Sequence, residues 1–380
     1  MVTRPPTTVA PEQSRAAAAA TRSEAAKLRA RLSSLLQAHA YLSGLTTAAV
    51  AEGSDPAPLR SVLDQTDADL GAVVASVFDP SAGQRFLTVW RRQSDLLLSY
   101  AQAKRTGDSN GAAAARTALV GFRSDLAAVL SALSPSLTTT TVTDLFSTPV
   151  TAMLSVADAQ VARGNQQYES LRTAAATTPP VAELLARAFV KHAPDNFAGN
   201  PNSPASTLLT TTADLLQEHV YLSAVTTGAQ VSGADVQLAR NTLDASSQAL
   251  ANVLVSAYGS ATGDTFLSIW RGHIASYLDY GRSRLSGNQL GASQAGARLD
   301  QFAQDLGGFL AGANPNLSKD RVAASLIDHV TAAEAIIDAQ VAHSPQWVAM
   351  AREEGRRMLG LGASIASALA AQLPDRFPGP

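Results

Sequence analysis

Apolar residues recur every three or four positions along this chain, in long runs separated by short clusters of Gly, Pro, Asn and Asp. That period predicts amphipathic helices and leaves almost no strand signal. In the C-terminal half the spacing predicts helices over about 206–231, 236–257, 262–285, 292–311, 318–342 and 345–373. Their ends are marked by Gly233, Tyr258-Gly259, Ser286-Gly287-Asn288, Gly312-Ala313-Asn314-Pro315 and Pro374. Leu215, Leu222 and Val225 share one face of the first helix, and Phe266, Trp270, Tyr277 and Tyr280 one face of the third. Helices this long joined by short connections favour antiparallel neighbours. The expected fold is therefore an all-α, up-and-down bundle of six helices, with the first, third and fifth pointing the same way.

The N-terminal half repeats this plan at a constant offset of 180 residues, without a gap. Leu35 to Ser43 matches Leu215 to Ser223, Phe86 to Arg91 matches Phe266 to Arg271, and Asp158-Ala159-Gln160 matches Asp338-Ala339-Gln340. Between 35 and 47, nine of thirteen positions are identical, where unrelated sequence would give about one. The pattern implies two tandem six-helix domains, 21–200 and 201–380, after a Pro/Thr-rich linker at 1–20. Prolines disturb the first copy at two places: Pro149 falls inside its fifth helix and Pro179-Pro180 inside its sixth, which is expected to restart at Val181.

Composition narrows the function classes. A formal charge of −2 and a pI near 6.3, without clustered basic residues, argue against a nucleic-acid partner. The absence of cysteine excludes disulfides and thiolate chemistry. No uninterrupted apolar run reaches the ~20 residues that a membrane-spanning helix requires. The polar stretch around Pro5-Pro6-Thr7-Thr8-Val9-Ala10-Pro11 is of the kind that joins a removed signal or an anchor to an exported domain, so export is expected. Lysine occurs only at 27, 104, 191 and 319, with arginine making up the rest of the 29 basic residues, a bias that suggests a GC-rich bacterial genome.

The candidate chemistry lies in the histidines. His219, His273 and His329 fall mid-way along the first, third and fifth helices of the second copy, each on the apolar side. With parallel helices rising ~1.5 Å per residue, they belong at one level of the bundle. Inward imidazoles at one level could hold a transition metal (Cu, Zn or Fe) or haem. Tyr277, Tyr280 and Met358 are candidate additional ligands or supporting groups. The plainer alternative is three core histidines, each satisfied by a neighbouring polar group. In the first copy His39 alone remains as a candidate ligand, because Gln93 and Pro149 replace the other two. No carboxylate is evidently placed to complete the site, since Glu218 and Asp328 are sequence neighbours of histidines and point roughly 100° away from them. Ferritin-like Glu-x-x-His pairs, His-Glu-x-x-His, phosphate loops and nucleophile elbows are absent, so an enzyme is not expected.

Leu215–Leu222, Phe266–Tyr280, Asn314–Leu317 and Asp338–Gln340 together resemble a repeat family of exported helical proteins from Gram-positive bacteria and their relatives. No established activity attaches to that family, so the resemblance implies an extracytoplasmic, non-catalytic setting. The family pattern places a histidine before a methionine in the sixth helix. Here Arg357-Met358 stands there, leaving any four-histidine site one ligand short. The expected function is an extracytoplasmic protein binding a metal or haem, or else a structural or protein-interaction module of the cell envelope with a protein partner.

Overall fold

The computed structural model describes residues 11–379, and every regular element among them is helical. In chain order these are α1 (Pro11–Thr21), α2 (Glu24–Glu52), α3 (Ala57–Val77), α4 (Pro80–Thr106), α5 (Ser109–Leu133), α6 (Thr139–Leu145), α7 (Ser147–Val161), α8 (Gln167–Ala175) and α9 (Pro179–His192). They continue with α10 (Pro204–Ser232), α11 (Val236–Tyr258), α12 (Ser260–Leu285), α13 (Gln289–Ala313), α14 (Lys319–Val341) and α15 (Gln346–Gln372). The all-α expectation holds, and no described helix is long and apolar enough to cross a membrane.

The chain divides into two compact units. One spans Leu28–Pro201, and the other combines the residues up to Lys27 with those from Asn202 onward. The expected linker at 1–20 is only partly open to description, because residues 1–10 lie outside the described residues. Residues 11–20 are not linker: they form α1, which buries Ala17, Ala18, Ala20 and Thr21 against α15 and α10. Its Ala16-to-Ala20 run has the highest helix propensity available and small side chains that allow close approach.

In the unit containing α10 to α15, each helix packs on the next, and α10 also packs on α15, closing the ring. The helices α10, α12 and α14 additionally touch one another. Side-chain caps fix their starts: Ser203 accepts from the Ser206 amide, Asp235 from Gln237 and Leu238, Asn288 from Gly291, and Ser318 from Arg321. Gly233, at φ 73°, ends α10 in the left-handed conformation that glycine adopts without strain.

The helix α10 departs from the amphipathic expectation. Every residue from Leu216 to Leu222 is buried, whereas Leu215, placed on the apolar face from sequence, is half-buried. Surrounded by α11, α12, α14, α15 and α1, the helix keeps a narrow exposed strip near its start, at Pro204, Thr207 and Thr211. Its polar side chains are paired accordingly: Thr227 donates to Gln340 Oε1 at 2.7 Å, and Gln340 Nε2 donates to the Ala224 carbonyl at 2.8 Å.

The unit Leu28–Pro201 repeats that lock, with Thr47 donating to Gln160 Oε1 at 2.7 Å and Gln160 Nε2 to the Gly44 carbonyl at 2.9 Å. The bounds of α2 and α10, and those of α5 and α13, are offset by 180 at both ends. Two interruptions set the first half apart. Pro149 cannot donate to the Leu145 carbonyl and its ring crowds that group, so the chain breaks at Phe146 between α6 and α7, where α14 runs on without a break. The sixth helix breaks as expected after α8, but it restarts at Pro179 rather than Val181. Proline's fixed φ suits a first helical position, where its missing N–H costs nothing.

Candidate metal centre

The mid-helix positions of His219 on α10, His273 on α12 and His329 on α14 converge because those three helices are mutual neighbours. One ring nitrogen from each lies within 4.8 Å of the others, and all three residues are 3% exposed or less. His219 Nε2 and His273 Nε2 are 3.1 Å apart. A tetrahedral ion with metal–nitrogen bonds of about 2.0–2.1 Å spaces its ligands roughly 3.3 Å apart, so this pair is already at ligand spacing. His329 needs a small inward shift.

Aromatic rings hold the imidazoles in place. Phe302 of α13 stacks on His273 with centroids 4.2 Å apart and an 18° interplanar angle, and Trp270 lies 4.6 Å from His219 and 4.5 Å from His273. Burial pushes both His219 and His273 well below the ordinary imidazole pKa. A charge on His329 would add to this at His219, and charges on His219 and His329 would do so at His273, where the Trp270 carbonyl partly offsets the effect. Both rings are thus neutral near pH 7, the form that binds metal.

A carboxylate does accompany the cluster, contrary to the sequence expectation. His329 Nδ1 donates to Glu354 Oε1 of α15 at 2.9 Å, and Glu354 is 2% exposed. This bond fixes the His329 ring with Nε2 free and turned away from the carboxylate, the arrangement by which a carboxylate orients a metal-binding histidine. Glu354 was legible in principle: it sits three residues after Ala351 and four before Met358, a lone acid inside a buried helical stripe. Glu218 is itself buried on α10, at 4% exposed.

The remaining sequence candidates separate. Tyr277 joins the cluster, its ring 5.1 Å from His273 and 6.2 Å from His329. Tyr280 does not belong to it, because its hydroxyl donates to Asp338 at 3.2 Å and its ring lies beside the Arg284 guanidinium. Met358 is buried on α15 one turn beyond Glu354, but it does not line the cavity beside His329. Arg357 faces outward and pairs with Glu353 and Glu354. His39 lies in the other unit, where Nδ1 donates to Asp67 at 2.7 Å and Ser43 Oγ lies 3.4 Å from Nε2. Asp67 also accepts from Trp90 Nε1 at 2.9 Å, so that histidine is fully engaged by protein groups. Haem has no room beside His329: the cavity there is about 20 Å³, enough for one water molecule.

The acids shared by both halves have structural roles. Asp244 receives two bonds from Arg271, at 2.6 and 2.8 Å, while Asp158 and Asp338 accept from Tyr100 and Tyr280 and pair with Lys104 and Arg284. The chain matches no family model, no curated protein and no solved structure.

Proposed function

We propose that this chain is a tandem duplication of a six-helix bundle, and that the second bundle binds one transition-metal ion through Nε2 of His219, His273 and His329. The observation carrying this reading is the convergence of three buried imidazole nitrogens within 4.8 Å, with Glu354 fixed on the far side of one ring. A core built only for packing would satisfy its polar atoms, yet His329 Nε2, one of the three proposed ligand atoms, has no hydrogen-bond partner. The ion is one that imidazole favours, Zn, Cu or Fe. Burial of the whole cluster supports a binding role over catalysis on any large substrate. The 180-residue sequence offset and the matching bounds of α2 with α10 and of α5 with α13 support the duplication. The Pro/Thr-rich start and the resemblance to exported helical repeats support an extracytoplasmic setting.

The competing reading is a structural or protein-interaction module of the cell envelope whose histidines are core polar groups. His39 favours it, because a histidine at the corresponding position is satisfied there by Asp67 and Ser43 alone.

Equilibrium dialysis of metal-stripped protein against Zn(II) separates the two. The expected result is one ion per chain, abolished in a His219→Ala/His273→Ala variant that keeps its helical circular dichroism and weakened about 10- to 100-fold in Glu354→Gln. Substoichiometric uptake, or uptake that the double variant retains, removes the metal reading.

A further inference from the structure

Three imidazoles leave a four-coordinate ion one ligand short, and the one buried carboxylate nearby is occupied by His329 Nδ1. Beside His329 lies the cavity of about 20 Å³, lined among others by Ser223, Tyr277, Ile336 and Glu354. Tyr277 is 2% exposed, and its hydroxyl has no hydrogen-bond partner. An unmade bond at that depth is costly, so the hydroxyl is a donor waiting for an acceptor. Charge adds a second constraint: Glu354 is already paired with Arg357, so a divalent ion in this apolar core is costly unless an anion neutralises part of its charge.

We infer that the bound ion keeps one coordination position open toward this cavity, and that the position takes a monoanion of one heavy atom, such as hydroxide or fluoride, which accepts a hydrogen bond from Tyr277. This inference rests on the metal reading above and names the ligand class of that same site. Larger anions are excluded by the size of the cavity, and neutral apolar molecules leave both the charge and the hydroxyl unsatisfied.

The experiment uses the full chain loaded with Co(II), whose visible absorption reports coordination. Bands of four-coordinate Co(II), absent from the His219→Ala/His273→Ala variant, establish that the ion is in place. Fluoride is then titrated. The expected result is a saturable change in the bands at one fluoride per Co(II). In Tyr277→Phe, Co(II) affinity should stay within about twofold while fluoride binding weakens about 10- to 100-fold, the worth of one hydrogen bond to a charged acceptor. Absence of Co(II) bands sinks the metal reading itself. Co(II) bands indifferent to fluoride sink the open position alone, and undiminished fluoride binding in Tyr277→Phe removes the tyrosine from it.

Discussion

Asp67 shows how much one side chain decides at this depth. It is fully buried and accepts from both His39 Nδ1 and Trp90 Nε1, tying α2, α3 and α4 together through a single carboxylate. At the position 180 residues later stands Ser247, whose hydroxyl donates to its own helix at the Leu243 carbonyl. The corresponding donors, His219 Nδ1 and Trp270 Nε1, are left without partners. Loss of the carboxylate frees the histidine ring from a structural bond, and the added imidazoles of His273 and His329 surround it instead. Asp67→Ala should orphan two buried donors at once and cost about 2–5 kcal/mol, measured by urea unfolding. A loss below about 1 kcal/mol would mean that water or a rearranged neighbour replaces the carboxylate, and that the bond is not what holds His39.

At the scale of elements, α15 brings Glu354 to His329 by packing on α14, and it also packs closely on α10. Gly362 sets the closeness of that contact, since a methyl group there would sit 2.8 Å from Ala213 Cα and 3.0 Å from its nitrogen. Backbone atoms cannot yield as a flexible side chain does. Gly362→Ala should therefore cost about 1–3 kcal/mol through overpacking, more than the up to ~1 kcal/mol gained in helix propensity. Gly360, two residues away and exposed with nothing within 4 Å, should show the propensity gain alone when changed to Ala. Thermal unfolding of the two variants checks the opposite signs, and equal shifts would refute the close-packing account. Much of this architecture was legible, because helical periodicity and capping residues such as Ser318 and Asn288 are local properties. What escaped was set by neighbours. Enclosure of α10 made Glu218 and Gln217 buried residues, the α1 segment was hidden behind a proline-rich start, and Glu354 gained its meaning only when α15 was laid beside α14. The histidine level was visible because three helices carried it at similar depth. Its carboxylate was not, since one acid in a stripe of small residues has no period to betray it.

For the molecule as a whole, burying neutral imidazoles links stability to pH. In the metal-free chain His219 and His273 titrate well below 6.5, while the same residues in the unfolded chain titrate near 6.5. Above that value neither state carries the protons and the contribution to stability is complete. As pH falls below it, the unfolded chain takes up protons that the folded one refuses, so stability declines until pH passes the folded values. The declining limb should flatten in the His219→Ala/His273→Ala variant. Metal acts on the same equilibrium from the other side, since an ion that binds only the folded state at a hundredfold excess over its Kd adds about 2.7 kcal/mol. That gain belongs to the helices supplying the ligands. Amide hydrogen exchange at pH 7 should therefore slow on adding Zn(II) in α10, α12, α14 and α15 and stay unchanged in α3, α4 and α5, whose unit holds His39 already bonded to Asp67. Slowing in both sets, or in neither, would show that the ion does not distinguish the two halves. The separation of a metal-holding bundle from a self-satisfied one would then have to be abandoned.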